Sequence, residues 1–582
     1  MNQATKSAWP QACARCEAPI MSVIDADIGL DDERADIAIV GGGPHALAAL
    51  AALHEGSLPC QQYGDDGQFQ TRTACGSLKK VGTVCVLDPG THFMQAWNTR
   101  FDALEIKHLR SPTFAHPVAF EPTALLNFAV QEGRTSELIA APIVGSWLVS
   151  TDLSEQAELL KALPSSALFR DFCASLEAKL PHRWLSGAAT TVCKDAITGK
   201  YRVHYQMADG RERKVVARAV VLATGPVGQW NIPSPFAPHL SSRRILHTEA
   251  LLVETKGTLR EEITRRCSRA SGRVLVLGGG ISAAQSALAA YRAGQQVTIR
   301  SRRPLQTRAF DIASEYLDLR HGERLRFEFL SLPMEKRLEA LRAAKSGGSV
   351  PATYMKELLG LAKESSNLRL EVDEGIDQSE VCVGADDEYV VVNGDKFDMV
   401  IMATGVSAAP SSSELYKSIK ERFGAPTLDG LPRVNSSLRW VPDEDLFVLG
   451  ANAVIELGPG GGNLVGAMRG ARVLSKALHG LMWNHSDGRR AGPERTVFSN
   501  YYASLPLLGN GSESEIDVLA RRLNLTMKTE SALRKARKQR KPTKGTIILD
   551  HVPHMSLVEA RSERSTRVPI DIAEHTPYDE LA

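Results

Sequence analysis

The sequence predicts an α/β chain built on two doubly wound, mainly parallel sheets, the second inserted into the first. Three observations predict it. "GGGPHALAAL" from Gly41 and "GGGISAAQSA" from Gly278 each follow a short β-branched run and open an Ala-rich helix, giving two strand–glycine turn–helix units. Three further apolar runs, "AVVLATG" (219–225), "DMVIMATG" (398–405) and "DLFVLGANAV" (445–454), end in the small residues that ligand-facing strand ends require. The chain has 582 residues, enough for two or three domains plus tails.

In chain order, residues 1–34 are polar and end in the acidic run "DADIGLDDER", which predicts a disordered leader with order beginning at Ala35. "ADIAIV" is a strand, "GGGPHALAALAALHEG" a turn and helix, and "TVCVLDPG" a second strand. Between them the polar stretch at 56–80 reads as a surface insertion. The second unit runs from Gly272 to Arg300. The pattern decays after about Gly480, leaving 483–582 as a polar C-terminal tail with a basic segment, Arg534 to Lys541, better read as a solvated helix face than as a nuclear signal. The predicted domains are 35–255 and 400–482 for the first fold and 256–399 for the one inserted in it.

Composition excludes several classes. Lys+Arg 69 against Asp+Glu 67 gives a formal charge of +2, so no global field recruits nucleic acid or an anionic membrane. There is no run of 18 apolar residues and no signal-like start, which predicts a soluble cytoplasmic protein. Nine scattered cysteines suit a reducing compartment, and Cys13-x-x-Cys16, with no second pair at metal-ligand spacing, predicts no metal.

The two turns lead to strands that end in opposite charge. Gly41, Gly43 and Ala46 fill the three positions of G-x-G-x-x-G/A, with Pro44 opening the helix. The first glycine permits the tight turn, the second lets a pyrophosphate approach the backbone, and the third small residue lets helix and strand pack. The next strand ends in Asp88, whose carboxylate suits ribose hydroxyls. Gly278, Gly280 and Ala283, with Ser282 between them, repeat the pattern, but the matching strand ends in Arg300, Ser301, Arg302 and Arg303. A carboxylate there would repel a ribose 2′-phosphate, whereas guanidinium groups bind it with charge-assisted bonds. A glycine turn also arises for packing alone, and arginines on a solvated turn need no ligand. Taken together, one acid-ended and one arginine-ended unit predict two different dinucleotides, FAD in the first and NADPH in the second. Thr224 and Gly225, Thr404 and Gly405, and Gly450 are the candidate strand-end contacts. Hydride would pass from nicotinamide to flavin, chemistry that needs orientation more than acid–base side chains. Cys60, Cys75 and Cys85 lack the C-x4-C or C-x2-C spacing that passing electrons to a disulfide would need.

The stretch "FMQAWNTRFDALEIKHLRSPTFAHPVAFEPTALLNFAVQEGR" (93–134) resembles the lysine and ornithine N-hydroxylases, whose pattern runs W-H, K-D-L, L-N-Y-L, G-R; Trp97, Lys107, Leu109, Leu126, Asn127, Phe128, Gly133 and Arg134 match or nearly match. "LFRDFCASLEAKL", "ILHTEAL", "GGGISAAQSA" and "DMVIMATGV" resemble further segments of that family in the same order. The layout is also similar to the oxidative-stress-induced growth inhibitor flavoproteins. Asn98 stands where the family has His, His108 where it has Asp, and Val406 where it has Tyr; "ELGPGGGNLVGAMRGARVL" replaces its T-H-G-L segment. The resemblance implies reduction of FAD by NADPH, a flavin hydroperoxide formed with O2, and oxygen transfer to a nucleophilic small-molecule substrate, an amine before others. It further implies that Trp97 and Asn98 lie at the flavin, that Lys107 lies near flavin and substrate, and that Asn463 and Leu464 form a turn against the flavin ring. Two rival expectations stand beside it: an NADPH oxidase or reductase without hydroxylation, and a nucleotide-binding regulatory protein acting through its basic tail.

Overall fold

Both strand–turn–helix units form, and each sits at the centre of its own five-stranded parallel sheet. The structure, a computed structural model, describes residues 33–54, 60–63, 69–72, 82–140, 160–267, 271–317, 321–344, 348–373, 375–408, 410 and 413–486. Most of the predicted leader, most of the 56–80 insertion and nearly all of the C-terminal tail lie outside the described residues. Within the insertion, Cys60–Tyr63 and Phe69–Arg72 pair as an antiparallel hairpin.

In the first sheet the strands run Leu446–Val448, Ala219–Leu222, Ile37–Val40, Val84–Asp88, Arg183–Ser186. Neighbours are all parallel, with Ile37 opposite Val84 and Ala219. Its central strands are apolar throughout because both faces are covered, the signature of a buried parallel sheet. One cover is helix Pro44–His54, whose Ala-rich surface lets helix Leu464–Ser486 approach closely through Ala48, Ala52, Ala467, Met468 and Ala471.

The second sheet runs Ile245–His247, Met399–Met402, Arg273–Leu277, Gln296–Ser301, Leu368–Val372, again all parallel. Helix Ile281–Arg292 packs its Ala283, Ala284, Ala287 and Leu288 into that sheet's core. Ile245–His247 lies inside the stretch 35–255 predicted for the first fold, and Met399–Met402 spans the predicted bound between 399 and 400. Sheet membership places both in the second, because their hydrogen-bond partners are Met399–Met402 and Arg273–Leu277.

Order begins before Ala35. Glu33–Arg34 pairs in parallel with Val215 and Val216, extending an antiparallel sheet of Ala188–Lys194, Tyr201–Gln206 and Glu212–Ala217 that the sequence reading had not singled out. The free edge of that sheet supplies the partners, and Arg183 closes the pairing with an ion pair to Glu33 at 2.8 Å.

Chain passage between the two parallel sheets runs along a two-stranded ribbon. After Ala219–Leu222 the chain leaves through Gly228–Trp230, and after Met399–Met402 it returns through Val406–Ala408. These segments pair antiparallel, Gly228 with Ala408 and Trp230 with Val406. Among the described residues no helix is long and apolar enough to cross a membrane.

Two candidate dinucleotide cradles

The two glycine turns are built alike. Gly41 has φ +117°, and a Cβ there would stand 2.3 Å from the Ala223 carbonyl oxygen. Gly278 has φ +140°, and its Cβ would stand 2.3 Å from the Ala403 oxygen. Each turn therefore lies under the Ala-Thr-Gly exit of the neighbouring strand, in a conformation and a space that only glycine fits. The second glycines are open instead. Among the described residues nothing lies within 4 Å of a Cβ on Gly43, and the nearest atom to one on Gly280 is Gly348 Cα at 4.0 Å. That open approach, beside the N-terminus of a helix, fits a pyrophosphate. Ala46 and Ala283 are buried where helix meets strand. Pro44 takes the first helical position, where its missing N–H costs nothing, and Ser282 is exposed in the first turn of the second helix.

At the first strand end, Asp88 accepts from Gly42 N–H at 2.7 Å through Oδ2 and from Gly90 N–H at 2.8 Å through Oδ1. The carboxylate thus holds the turn in shape while keeping lone pairs for a further donor. Met94, at φ 64°, donates its N–H to Gly42 O at 2.7 Å and starts helix Gln95–Ala103, so Trp97 and Asn98 hang from the first turn. The Trp97 ring is stacked on Phe101, 4.7 Å between centroids. Lys107 lies beyond that helix, exposed, its carbonyl accepting from Ser166 N–H.

The arginines at the second strand end divide. Arg300 is buried and gives Nε and Nη2 to Glu371 Oε2 at 3.0 and 2.8 Å, leaving Nη1 without a partner among the described residues. Arg302 and Arg303 are exposed past the strand. Of the three candidate arginines, Arg300 still belongs to the ladder and faces Glu371 across it, and the two residues beyond Ser301 have left it.

Thr224 and Gly225 join a buried network absent from the sequence reading. Asn452 Nδ2 donates to Gly225 O at 2.9 Å and to Tyr416 Oη at 2.8 Å, and the Tyr416 and Thr224 hydroxyls are 3.0 Å apart. A lone Asn in "LGANA" was the available signal; nothing local marked Tyr416. Thr404 and Gly405 instead bond the ribbon and the second sheet, through Asn231 and His247. Asn463 caps the last described helix, Oδ1 accepting from Gly466 N–H at 3.0 Å, and Leu464 is in the core.

His45 was also missed. Its ring packs against Gly450, whose Cβ would stand 3.3 Å away, and Nε2–H donates to Gly462 O at 3.2 Å. Nδ1 is buried with no partner among the described residues, and burial pushes the imidazole down to about 4. The glycine segment around Gly458 is clasped from outside. Glu456 pairs with Arg337 of helix Met334–Ala344 at 3.0 Å, and Arg469 with Glu323 of helix His321–Leu330 at 3.0 Å.

Two glycine turns, one acid-ended and one arginine-ended, each under an Ala-Thr-Gly strand exit and joined by a ribbon, define the class of two-dinucleotide-fold proteins. Residues 154–365 match the family model L-lysine 6-monooxygenase/L-ornithine 5-monooxygenase, and over that stretch the resemblance read from the sequence is borne out. Among solved structures, the ornithine hydroxylase PvdA of Pseudomonas aeruginosa in its reduced form is 17% identical, with TM-score 0.56, covering 77% of this chain and 99% of that one. DfoA of Erwinia amylovora, a cadaverine monooxygenase bound to FAD, is 19% identical, with TM-score 0.53 and coverage of 77% and 95%. The Kutzneria ornithine N-hydroxylase with reduced FAD, NADP+ and L-ornithine is 15% identical, with TM-score 0.55 and coverage of 77% and 100%. At such identities the likeness establishes the α/β two-domain fold. No curated protein matches the chain.

Proposed function

We propose that the chain is an FAD- and NADPH-dependent monooxygenase that hydroxylates the amino nitrogen of a small cytoplasmic substrate. The observation that carries this reading is the pair of cradles with opposite charge at their strand ends, within a chain whose middle third matches an amine N-hydroxylase family. The residues present fit both groups: Gly43 and Gly280 leave the pyrophosphate approach open, and each turn is held by its strand exit.

When bound, FAD reduced by NADPH supplies the activation of O2 for oxygen transfer. The chain's own residues bind and orient. Gly41, Gly43, Pro44 and Ala46 form the first cradle, with Asp88 shaping it and offering its free lone pairs to a ribose. Gly278, Gly280, Ser282 and Ala283 form the second, with Arg302 and Arg303 presenting guanidinium groups to a 2′-phosphate. The Thr224–Tyr416–Asn452 network fixes the strand end beside the first cradle, and His45 offers a buried acceptor there. Lys107 is the candidate for substrate contact. The solved neighbours act, by their descriptions, on ornithine or cadaverine, so a primary amine is the substrate class to test first.

The test is NADPH consumption by the FAD-loaded protein across ornithine, lysine, cadaverine and related amines. A hydroxylated amine formed in step with NADPH consumed is the expected result. Peroxide accumulating in full stoichiometry with every amine, or a purified protein that takes up no flavin, overturns the reading.

A further inference from the structure

Trp230 ends the outgoing strand of the ribbon, opposite Val406. Its ring lies parallel to that of His247, 7° between planes and 5.2 Å between centroids. His247 ends the outermost strand of the second sheet and is held at both ring nitrogens. Nε2–H donates to Gly405 O at 3.1 Å, and Nδ1 accepts from Glu249 N–H at 3.2 Å, a pattern that defines the neutral tautomer. Next to Trp230, Asn231 and Thr404 exchange side-chain-to-backbone bonds in both directions. The indole is therefore rigidly mounted, yet 47% exposed, with one face on His247. A large aromatic that the fold immobilises and leaves uncovered, beside a strand end, is placed to meet a ligand.

Its position says which part of a dinucleotide it would meet. In a doubly wound sheet the ligand spans the crevice outside the carboxyl ends of the strands, one nucleotide half on each side of the glycine turn. The arginine end of Gln296–Ser301 marks the adenosine side. On the other side of Arg273–Leu277 lie Met399–Met402 and Ile245–His247, whose ends carry Gly405, His247 and, through the ribbon, Trp230.

We propose that Trp230, backed by His247, stacks on the nicotinamide ring of NADP(H) and favours its oxidised form. The oxidised ring is planar and cationic, and tryptophan presents the strongest aromatic face to a cation. A neutral imidazole behind the indole adds no opposing charge. The reduced ring has lost that charge, so the indole retains the product of hydride transfer more tightly than the donor. Val406, opposite it, carries no ring, so Trp230 is the aromatic of this cross-strand pair. The inference rests on the second cradle taking NADPH, as proposed above.

The experiment measures dissociation constants for three ligands on the FAD-loaded full chain: NADP+, NADPH on anaerobically pre-reduced protein, and 2′,5′-ADP, which lacks the nicotinamide. Wild type, Trp230→Ala and Trp230→Phe are compared, with flavin content and melting temperature recorded for each. The expected result for Trp230→Ala is about a tenfold loss for NADP+, a smaller loss for NADPH and no change for 2′,5′-ADP. Trp230→Phe, which keeps an aromatic face, falls between, and carries the test alone if the alanine variant does not fold. Unchanged NADP+ binding in the variants, or equal loss of all three ligands, overturns the assignment of Trp230. A wild-type chain that binds neither NADP+ nor 2′,5′-ADP overturns the reading of the cradle and the stacking proposal with it; tight 2′,5′-ADP binding with no effect at Trp230 overturns only the stacking.

Discussion

Substituting Gly41 and Gly43 of the first turn separates what they do for the fold from what they do for a ligand. In Gly41→Ala the new methyl meets the Ala223 oxygen at 2.3 Å with φ at +117°, so backbone in a close-packed region must move by about 1 Å to restore van der Waals contact. Overpacking costs about 1–3 kcal/mol and the positive φ about 1–2 kcal/mol more, giving roughly 3 kcal/mol in total. At about 2 °C per kcal/mol for a large domain, the melting temperature should fall by roughly 6 °C. Gly43→Ala meets nothing within 4 Å among the described residues and has no positive φ, so the fold should tolerate it or gain a few tenths of a kcal/mol, as compatible Gly→Ala changes do. The same methyl occupies the approach a pyrophosphate would use. The assay is differential scanning fluorimetry on each variant, paired with flavin content after purification and FAD titration. Gly43→Ala should melt like wild type and lose most of its FAD. If it instead melted as low as Gly41→Ala, or kept FAD in full, the assignment of the open side to the ligand would be wrong.

Replacing Arg302 and Arg303 together by Ala should weaken NADPH by tens-fold and leave NADH almost unchanged, measured by initial rates or ligand titration; equal losses for both would remove the 2′-phosphate role. Arg300→Ala should act mainly on stability, measured by chemical denaturation, because it leaves Glu371 without its partner. Asn452→Leu should cost about 1–3 kcal/mol in the same measurement, since Gly225 O and Tyr416 Oη each lose a buried partner. Burial pushes His45 and His116 down to about 4. Their folded pKa values lie below the unfolded value of 6.5, so the unfolded chain takes up protons first. Stability is then full above pH 6.5 and is lost as pH falls towards 4, by about 3 kcal/mol per histidine. Urea midpoints that stay flat from pH 7 to 4 in wild type, or His45→Gln and His116→Gln variants that leave the slope unaltered, would contradict this.

The sequence by itself determined the two strand–turn–helix units, because everything they need is local: a β-branched run, glycine where φ must be positive, and small residues where helix meets strand. It also showed the charge contrast between Asp88 and the Arg300–Arg303 run, since strand ends can be located from apolar periodicity. Tertiary structure decided which of those arginines remain exposed, because the partner of Arg300 is 71 residues away on a neighbouring strand. It decided that the 398–405 run and Ile245–His247 build the second sheet, since strand order is a matter of pairing and not of composition. It also brought His45 to Gly462 across 417 residues, and Thr224 to Tyr416 across 192. Hydrogen bonds of that reach form only once the chain has closed on itself, so no local pattern of residues announces them.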